Sequence, residues 1–134
     1  MSIKFGMIVL DVRDLSKTIE FYRHLGLEIP DPHPDRPVSV YEMDNGISMV
    51  LGEGLAAAND PSWARPESGY QQFLEFLVAD DAAVDAEWER LTSAGHHGRR
   101  EPAKVVGPYA AFVDDPDGNV VMITSEVSAK EMDG

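Results

Sequence analysis

Residues 109–124 read Tyr-Ala-Ala-Phe-Val-Asp-Asp-Pro-Asp-Gly-Asn-Val-Val-Met-Ile-Thr, and this stretch decides the fold. Apolar, β-branched or aromatic runs at Tyr109–Val113 and Val120–Ile123 flank the cluster Asp115-Pro116-Asp117-Gly118-Asn119. Pro116 sets one φ, Gly118 permits a positive one, and the Asp side chains can bond the turn's own backbone. The stretch is therefore a β-hairpin. In its second strand Val120, Met122 and Thr124 share one face, and Asn119, Val121 and Ile123 share the other. An echo lies upstream in Tyr41-Glu42-Met43-Asp44-Asn45-Gly46-Ile47-Ser48-Met49-Val50-Leu51. Two hairpins with an Asx-Gly turn, one in each half, point to a duplicated chain.

The flanking elements repeat as well. Lys4–Val12 alternates as a strand, with Ile8, Leu10 and Val12 on one face and Phe5, Met7, Val9 and Asp11 on the other. Asp14 caps a helix over Leu15–Leu25 that buries Ile19, Tyr22 and Leu25, and Gly26 stops it. Leu27–Ile29 can start a further strand, but Pro30–Pro37 holds four prolines and must be an irregular loop. In the second half Tyr70–Val78 alternates, with Phe73, Glu75 and Leu77 opposite Leu74, Phe76 and Val78. Asp80 or Asp81 caps a helix to about Ser93 with Val84, Trp88 and Leu91 buried. His96–Val106 is a polar connection with at most a short strand. Each half thus reads β-α-β-β-β, a self-similar pair related by a pseudo-twofold. The expected organisation is a first module over 1–56, a linker over 57–69 containing Trp63, a second module over 70–127 and a frayed polar tail over 128–134.

At 134 residues and 43% hydrophobic, the chain suffices for one compact unit or two half-size modules. It has no apolar run near the length of about 18 residues that a span requires, so no membrane association is expected. No secretion signal is visible at the N-terminus. The chain contains no cysteine, which excludes disulfides, thiolate catalysis and cysteine metal sites and fits a cytoplasmic location. A net charge of −13 argues against nucleic acid as a partner, because phosphate binding wants a basic face.

The pattern Val12-Arg13-Asp14-Leu15, Thr18-Ile19, Phe21-Tyr22, Leu25-Gly26-Leu27, together with Asp115-Pro116-Asp117-Gly118-Asn119, resembles the vicinal oxygen chelate superfamily. That group includes glyoxalases, extradiol dioxygenases and the bleomycin resistance proteins. The resemblance covers nearly the whole chain. It implies an α+β fold of two βαβββ modules in pseudo-twofold repeat, with curved mixed sheets around a cavity. It also implies a homodimer, with strands or whole modules exchanged between subunits. Enzymes of the family hold a divalent metal with His, Gln or Glu at four positions, which fall here on Met7, Phe73, Met122 and either Met49 or Val50. None of these suits a hard divalent ion. Three thioethers could bind copper(I), but methionine is above all an apolar filler. No metal and no other cofactor is therefore expected, and Glu53 alone would not make a site.

The inward positions then form either an apolar pocket or a filled core, and the family's curved sheets favour the pocket. Its ligand-binding residues would be Met7, Val9, Met49, Phe73 and Met122, with Tyr41, Trp63 and Tyr109 stacking on a flat ligand. Glu75 shares the face of Phe73. It is either a ligand anchor, the base of a metal-free isomerase or lyase, or a carboxylate paired with Arg65 or Arg99. No Ser/His/Asp arrangement or phosphate-cradling glycine loop is present. The reading is a non-catalytic protein that sequesters a hydrophobic aromatic small molecule, such as an antibiotic of the bleomycin, mitomycin or enediyne type. The alternative is a lyase, isomerase or dioxygenase, either metal-free through Glu75 or metal-dependent through other ligands.

Overall fold

The computed structural model describes residues 2–67 and 69–133. The fold is mixed α+β, and the chain divides into two compact units, residues 1–67 and 68–134.

The first unit runs β1 (Met7–Asp11), α1 (Leu15–His24), β2 (Val38–Glu42), β3 (Ser48–Gly52) and α2 (Leu55–Asn59). Its sheet has the order β1-β3-β2, with β1 parallel and β2 antiparallel to the central strand. Helix α1 starts where the Asp14 carboxylate accepts from the Lys17 N–H at 3.3 Å. A second orphan donor, the Leu15 N–H, is satisfied by Glu53 at 2.8 Å. Leu15, Thr18, Ile19, Phe21 and Tyr22 of α1 are buried, and the helix packs on β3. Beneath it lie Leu10, Met49 and Leu51 of the sheet, all buried.

The strand expected from Leu27 is not formed, so the first unit has three strands among its described residues instead of four. The reason is local. The Ile29 carbonyl is claimed by the Arg23 guanidinium, at 2.9 Å from Nε and 2.7 Å from Nη2. The Pro30 carbonyl accepts from the Ser39 hydroxyl at 3.0 Å. Proline nitrogens offer no ladder donors, so these side chains satisfy the segment while Ile29 stays buried. The segment expected as a linker is also organised. It opens with α2, whose Ala56 N–H donates to Asp11 at 2.7 Å, and Arg65 closes on the same carboxylate and on the Asp11 carbonyl. Asp11 is therefore paired.

The second unit runs β4 (Phe73–Val78), α3 (Asp81–Ser93), β5 (Gly98–Ala103), β6 (Ala110–Asp114), β7 (Val120–Ser125) and α4 (Glu126–Asp133). Its four strands lie in the order β4-β7-β6-β5, with β4 parallel to β7 and the other pairs antiparallel. Asp80 caps α3 by accepting from the Ala83 N–H at 2.9 Å. Helix α3 packs on β5, β6 and β7 over Ala111, Val113, Val121 and Ile123, all buried. Gly98 is required here: a Cβ on it would lie 2.3 Å from the Trp88 ring. The polar connection is more ordered than its sequence suggests, since 98–103 pairs with β6 through two register shifts.

The expected polar tail is a correction too: residues 126–133 form helix α4, packed on β7. Its start is fixed by the Ser125 hydroxyl, which accepts from the Ser128 N–H at 3.1 Å. The Ser128 hydroxyl in turn accepts from the Tyr109 N–H at 2.8 Å.

The two hairpin turns share one backbone scheme. Met43 N–H donates to Ile47 O and Gly46 N–H to Met43 O; Asp115 N–H donates to Asn119 O and Gly118 N–H to Asp115 O. Gly46 and Gly118 have φ of 84° and 85°, the left-handed region that glycine enters without strain. Neither sheet closes on itself. Within each unit a helix packs on one sheet face; on the other, Met7, Val9, Val40, Phe73 and Leu77 are exposed while Val50, Ala110, Val120 and Thr124 are buried. Among the described residues no helix is long and apolar enough to cross a membrane.

Candidate functional site

Strand register decides which side chains can meet a ligand, because residues paired across a ladder project from the same face. In the first unit Val9 pairs with Val50, and Val50 with Val40; Met7 pairs with Ser48. These line the open face, where Met7 is 53% exposed, Val9 49% and Val40 52%. Ile8 pairs with Met49, and Met49 with Tyr41. Met49 and Tyr41 therefore lie on the helix-covered side, and Met49 is 1% exposed. Both were expected on the ligand side, and the pairing corrects them. Of the two candidates for the fourth metal position, Val50 is the one on the open face. The repeat agrees: Val9 faces Val50 as Glu75 faces Met122 in the second unit.

In the second unit the open face is read the same way. Phe73 pairs with Val120, Glu75 with Met122 and Leu77 with Thr124; Phe112 pairs with Met122 on one side and with Arg100 on the other. One row across the sheet is thus Arg100, Phe112, Met122, Glu75. Phe73 meets Phe112 edge to face with ring centroids 5.5 Å apart, and the Arg100 guanidinium lies 4.7 Å over the Phe112 ring. Phe73 is 50% exposed and Leu77 57%, so this apolar cluster is open to solvent.

Glu75 is exposed and is held by a hydrogen bond that its Oε2 accepts from the Thr124 hydroxyl at 2.9 Å. The sequence offered Arg65 or Arg99 as its partner, and neither fills that role. Arg65 is on Asp11, and Arg99 grips Asp114 through Nε at 2.7 Å and Nη2 at 3.0 Å. That hydrogen bond to Asp114 raises the Arg99 guanidinium further above its ordinary range. His97 Nδ1 adds a third contact to Asp114 at 2.8 Å.

Two further aromatic candidates sit elsewhere. Trp63 is half-buried in the first unit with the Arg65 guanidinium 5.0 Å over its ring. Tyr109 lies outside the Phe73 face: its hydroxyl donates to Asp85 of α3, and this bond raises the phenol above its ordinary range. It lines a cleft of about 270 Å³ with Asp85, Trp88, Glu89, Glu101 and Pro102. The two flanking aromatics expected to stack on a ligand, Tyr41 and Tyr109, are thus both turned from the open faces, because they share parity with residues under the helices.

Arg100 and Phe112 were missed from sequence. Phe112 carried a signal, since it sits at an alternate position to Ala110 and Asp114. Arg100 carried none, because the register shifts on either side of it break the alternation of β5. Its Nη2 donates to Ala110 O at 2.8 Å and Ala103 O at 3.4 Å, while its buried Nε has no acceptor among the described residues. Such an orphan donor costs about 1–3 kcal/mol.

The four positions that would hold a metal carry Met7, Val50, Phe73 and Met122. Two thioethers, an isopropyl group and a phenyl ring supply no oxygen or imidazole, so this donor set does not fit a hard divalent ion. Among the described residues no group of three or more His, Cys, Asp or Glu is arranged to hold one. Glu53, the possible stray ligand, is the cap of α1.

The family model of the Glyoxalase/Bleomycin resistance protein/Dioxygenase superfamily matches residues 4–123. The glyoxalase domain-containing protein RDO1 of Mycosarcoma maydis is 27% identical over 127 residues, spanning 92% of this chain and 68% of that protein. Among solved structures, a hypothetical protein from S. aureus superposes with a TM-score of 0.78 at 22% identity, covering 93% of this chain and 95% of its own. A glyoxalase-related enzyme from Fulvimarina pelagi also reaches 0.78, at 23% identity, with 92% and 88% covered. These two structures share the fold. With the family match spanning almost the whole length and the two-unit architecture agreeing, the chain belongs to the glyoxalase/bleomycin resistance protein/dioxygenase superfamily.

Proposed function

We propose that the protein binds a hydrophobic aromatic small molecule and holds it without converting it, as an antibiotic-sequestering resistance protein does. The observation that supports this is the open face of the second sheet. Phe73 and Leu77 are exposed and Phe112 and Met122 are half-buried on the same face, an edge-to-face aromatic and thioether surface. Aromatic rings and methionine suit a flat, irregular apolar ligand. In this reading the positions that carry metal ligands in the family's enzymes serve as contact surface. Bleomycin, mitomycin and enediyne drugs are the ligand types to try first. The protein acts in the cytoplasm as a homodimer, and the exposed Met7, Val9 and Val40 of the first sheet are the surface it offers a second copy.

The test is fluorescence titration of wild type, Phe73→Ala and Met122→Ala with this drug panel, alongside native mass spectrometry for subunit number. Binding of a drug without product formation, weakened about tenfold or more by either substitution, supports the reading. Turnover of the drug, or affinity unchanged in both variants, overturns it.

One observation favours a second reading, an enzyme that uses Glu75 as base. The carboxylate is positioned by Thr124 through Oε2, while Oε1 makes no hydrogen bond among the described residues. Glu75→Gln separates the two: it abolishes turnover at unchanged affinity if Glu75 is a base.

A further inference from the structure

Arg23, Arg65, Arg90 and Arg99 each lie within 4.0 Å of a carboxylate. Arg100, half-buried, and Arg36, exposed, have no carboxylate partner among the described residues. This holds in a chain with 24 acidic side chains. The carboxylate on the next row, Asp114, is already taken by Arg99 and His97. Arg100 is half-buried, stacked on Phe112, with Nη2 turned back to two backbone carbonyls. Its Nη1 has no acceptor among the described residues and is not fully buried, beside the Phe112 ring on which the guanidinium lies.

At the other end of the same row stands Glu75, itself acceptor-only when ionised. The row Arg100, Phe112, Met122, Glu75 crosses four strands, three spacings of about 4.8 Å, or roughly 14 Å. A cation lies at one edge, a carboxylate at the other and an apolar floor between them. The polarity is fixed by the fold, because each member is held by its own ladder partner.

We infer that Arg100 determines specificity by pairing with an oxyanion of the ligand, so that the molecule held on the second sheet is an aromatic anion. Its carboxylate, sulfonate or phenolate lies at Nη1 of Arg100, and its rings lie over Phe112, Phe73 and Met122. Glu75 repels a second anionic group and sets the direction in which the ligand lies. This deepens the binding reading above and rests on it. A net charge of −13 disfavours anions in general, so a preference for one must come from a local cation.

Two probes that differ by one charge test it: anilinonaphthalene sulfonate and its uncharged parent, phenylnaphthylamine. Both are titrated by fluorescence against wild type, Arg100→Met, Arg100→Lys and Phe73→Ala, with near-ultraviolet circular dichroism to verify each fold. The expected result is a wild-type preference for the sulfonate of about tenfold or more, the scale of a charge-assisted pair. Arg100→Met abolishes that preference by weakening the sulfonate alone, and Arg100→Lys, which keeps the charge but not the planar fork, retains part of it. Phe73→Ala weakens both probes together. No wild-type preference for the sulfonate, or an Arg100→Met variant that shifts both probes alike, overturns the role of Arg100 while leaving the binding reading intact. Absence of binding by both probes, or indifference of phenylnaphthylamine to Phe73→Ala, overturns the binding reading and the inference with it.

Discussion

Replacing Asp115 with Ala should cost far more than replacing Asn45, which supplies the side-chain acceptor in the first hairpin. The Asp115 carboxylate, on a residue only 4% exposed, accepts from the Asp117 N–H at 2.9 Å and the Asn119 N–H at 2.8 Å. Its second oxygen accepts from the Asn119 side-chain amide at 2.9 Å. In the first hairpin the structurally equivalent residue is Met43, and one side-chain bond remains, from the Ile47 N–H to Asn45 at 3.0 Å. Bonds to an ionised acceptor are worth about 1.5–3 kcal/mol each, but three donors at an exposed turn recover water in the variant. A net loss of about 3 kcal/mol follows for Asp115→Ala, against about 0.5–1 kcal/mol for Asn45→Ala. Removing a negative charge from a chain of −13 relieves repulsion, so charge alone pushes the other way.

Urea unfolding measures the difference, and the two tryptophans allow it to be read by unit. Trp63 lies in the first unit and Trp88 in the second, so a Trp63→Phe background reports the second unit alone. Asp115→Asn gives an intermediate value, since it keeps one acceptor oxygen and sets its new NH₂ against the Asn119 amide. Equal losses for Asp115→Ala and Asn45→Ala, within about 0.5 kcal/mol, would refute the argument that this carboxylate network fixes the hairpin.

The remaining predictions concern faces and protons. Met49→Ala, under α1, should destabilise by about 2–5 kcal/mol, whereas Met7→Ala on the open face should stay within about 0.5 kcal/mol; chemical denaturation of both variants measures this, and the reverse order would mean that the faces are misassigned. The hydrogen bond from the Tyr109 hydroxyl to Asp85 holds the phenol above its ordinary range. Since the fold favours the protonated phenol, the stabilisation is present below the unfolded value and is lost as pH rises through the folded one. An Asp85→Asn variant should bring the Tyr109 titration down when followed by ring carbon chemical shifts, and an unchanged midpoint would mean that the bond to Asp85 does not hold the proton.

Much of the fold was legible because the informative signals were local. The Asx-Gly turns, the capping Asp14 and Asp80, and the alternation in β1 and β4 each act within a few residues. What failed depended on partners distant in sequence. Leu27–Ile29 has strand composition, yet Arg23 and Ser39 take the carbonyls that a ladder would use. The C-terminal segment looks polar, yet the Ser125 hydroxyl starts a helix there, a capping signal hidden at the end of a strand. Phe73, Glu75 and Met122 were placed on one face because alternation in β4 and β7 is unbroken. Met49 and Tyr41 were placed on the wrong one because the adjacent Met49, Val50 and Leu51 of β3 are all apolar and show no alternation, and only the ladder to β1 sets their parity.

The open faces carry the functional argument further than any single residue does. Burying exposed apolar surface is favourable by about 25 cal/mol per Å², so evolution tends to replace large exposed side chains that nothing covers. Phe73 and Leu77 stay exposed on a strand whose opposite-facing side chains, Leu74, Phe76 and Val78, are half-buried. Arg100 keeps a buried, unsatisfied Nε and no carboxylate beside a chain rich in them. In the binding reading proposed above, an aromatic anion lying across the row from Arg100 to Glu75 would cover Phe73 and give Arg100 a counter-charge at Nη1, while the buried Nε keeps its cost. A fold selected for stability alone would pair Arg100 with an acid or replace it, and would place polar residues at 73 and 77. Polar replacement at Phe73 and Leu77 should therefore raise solubility without loss of fold, and the loss should appear in ligand affinity.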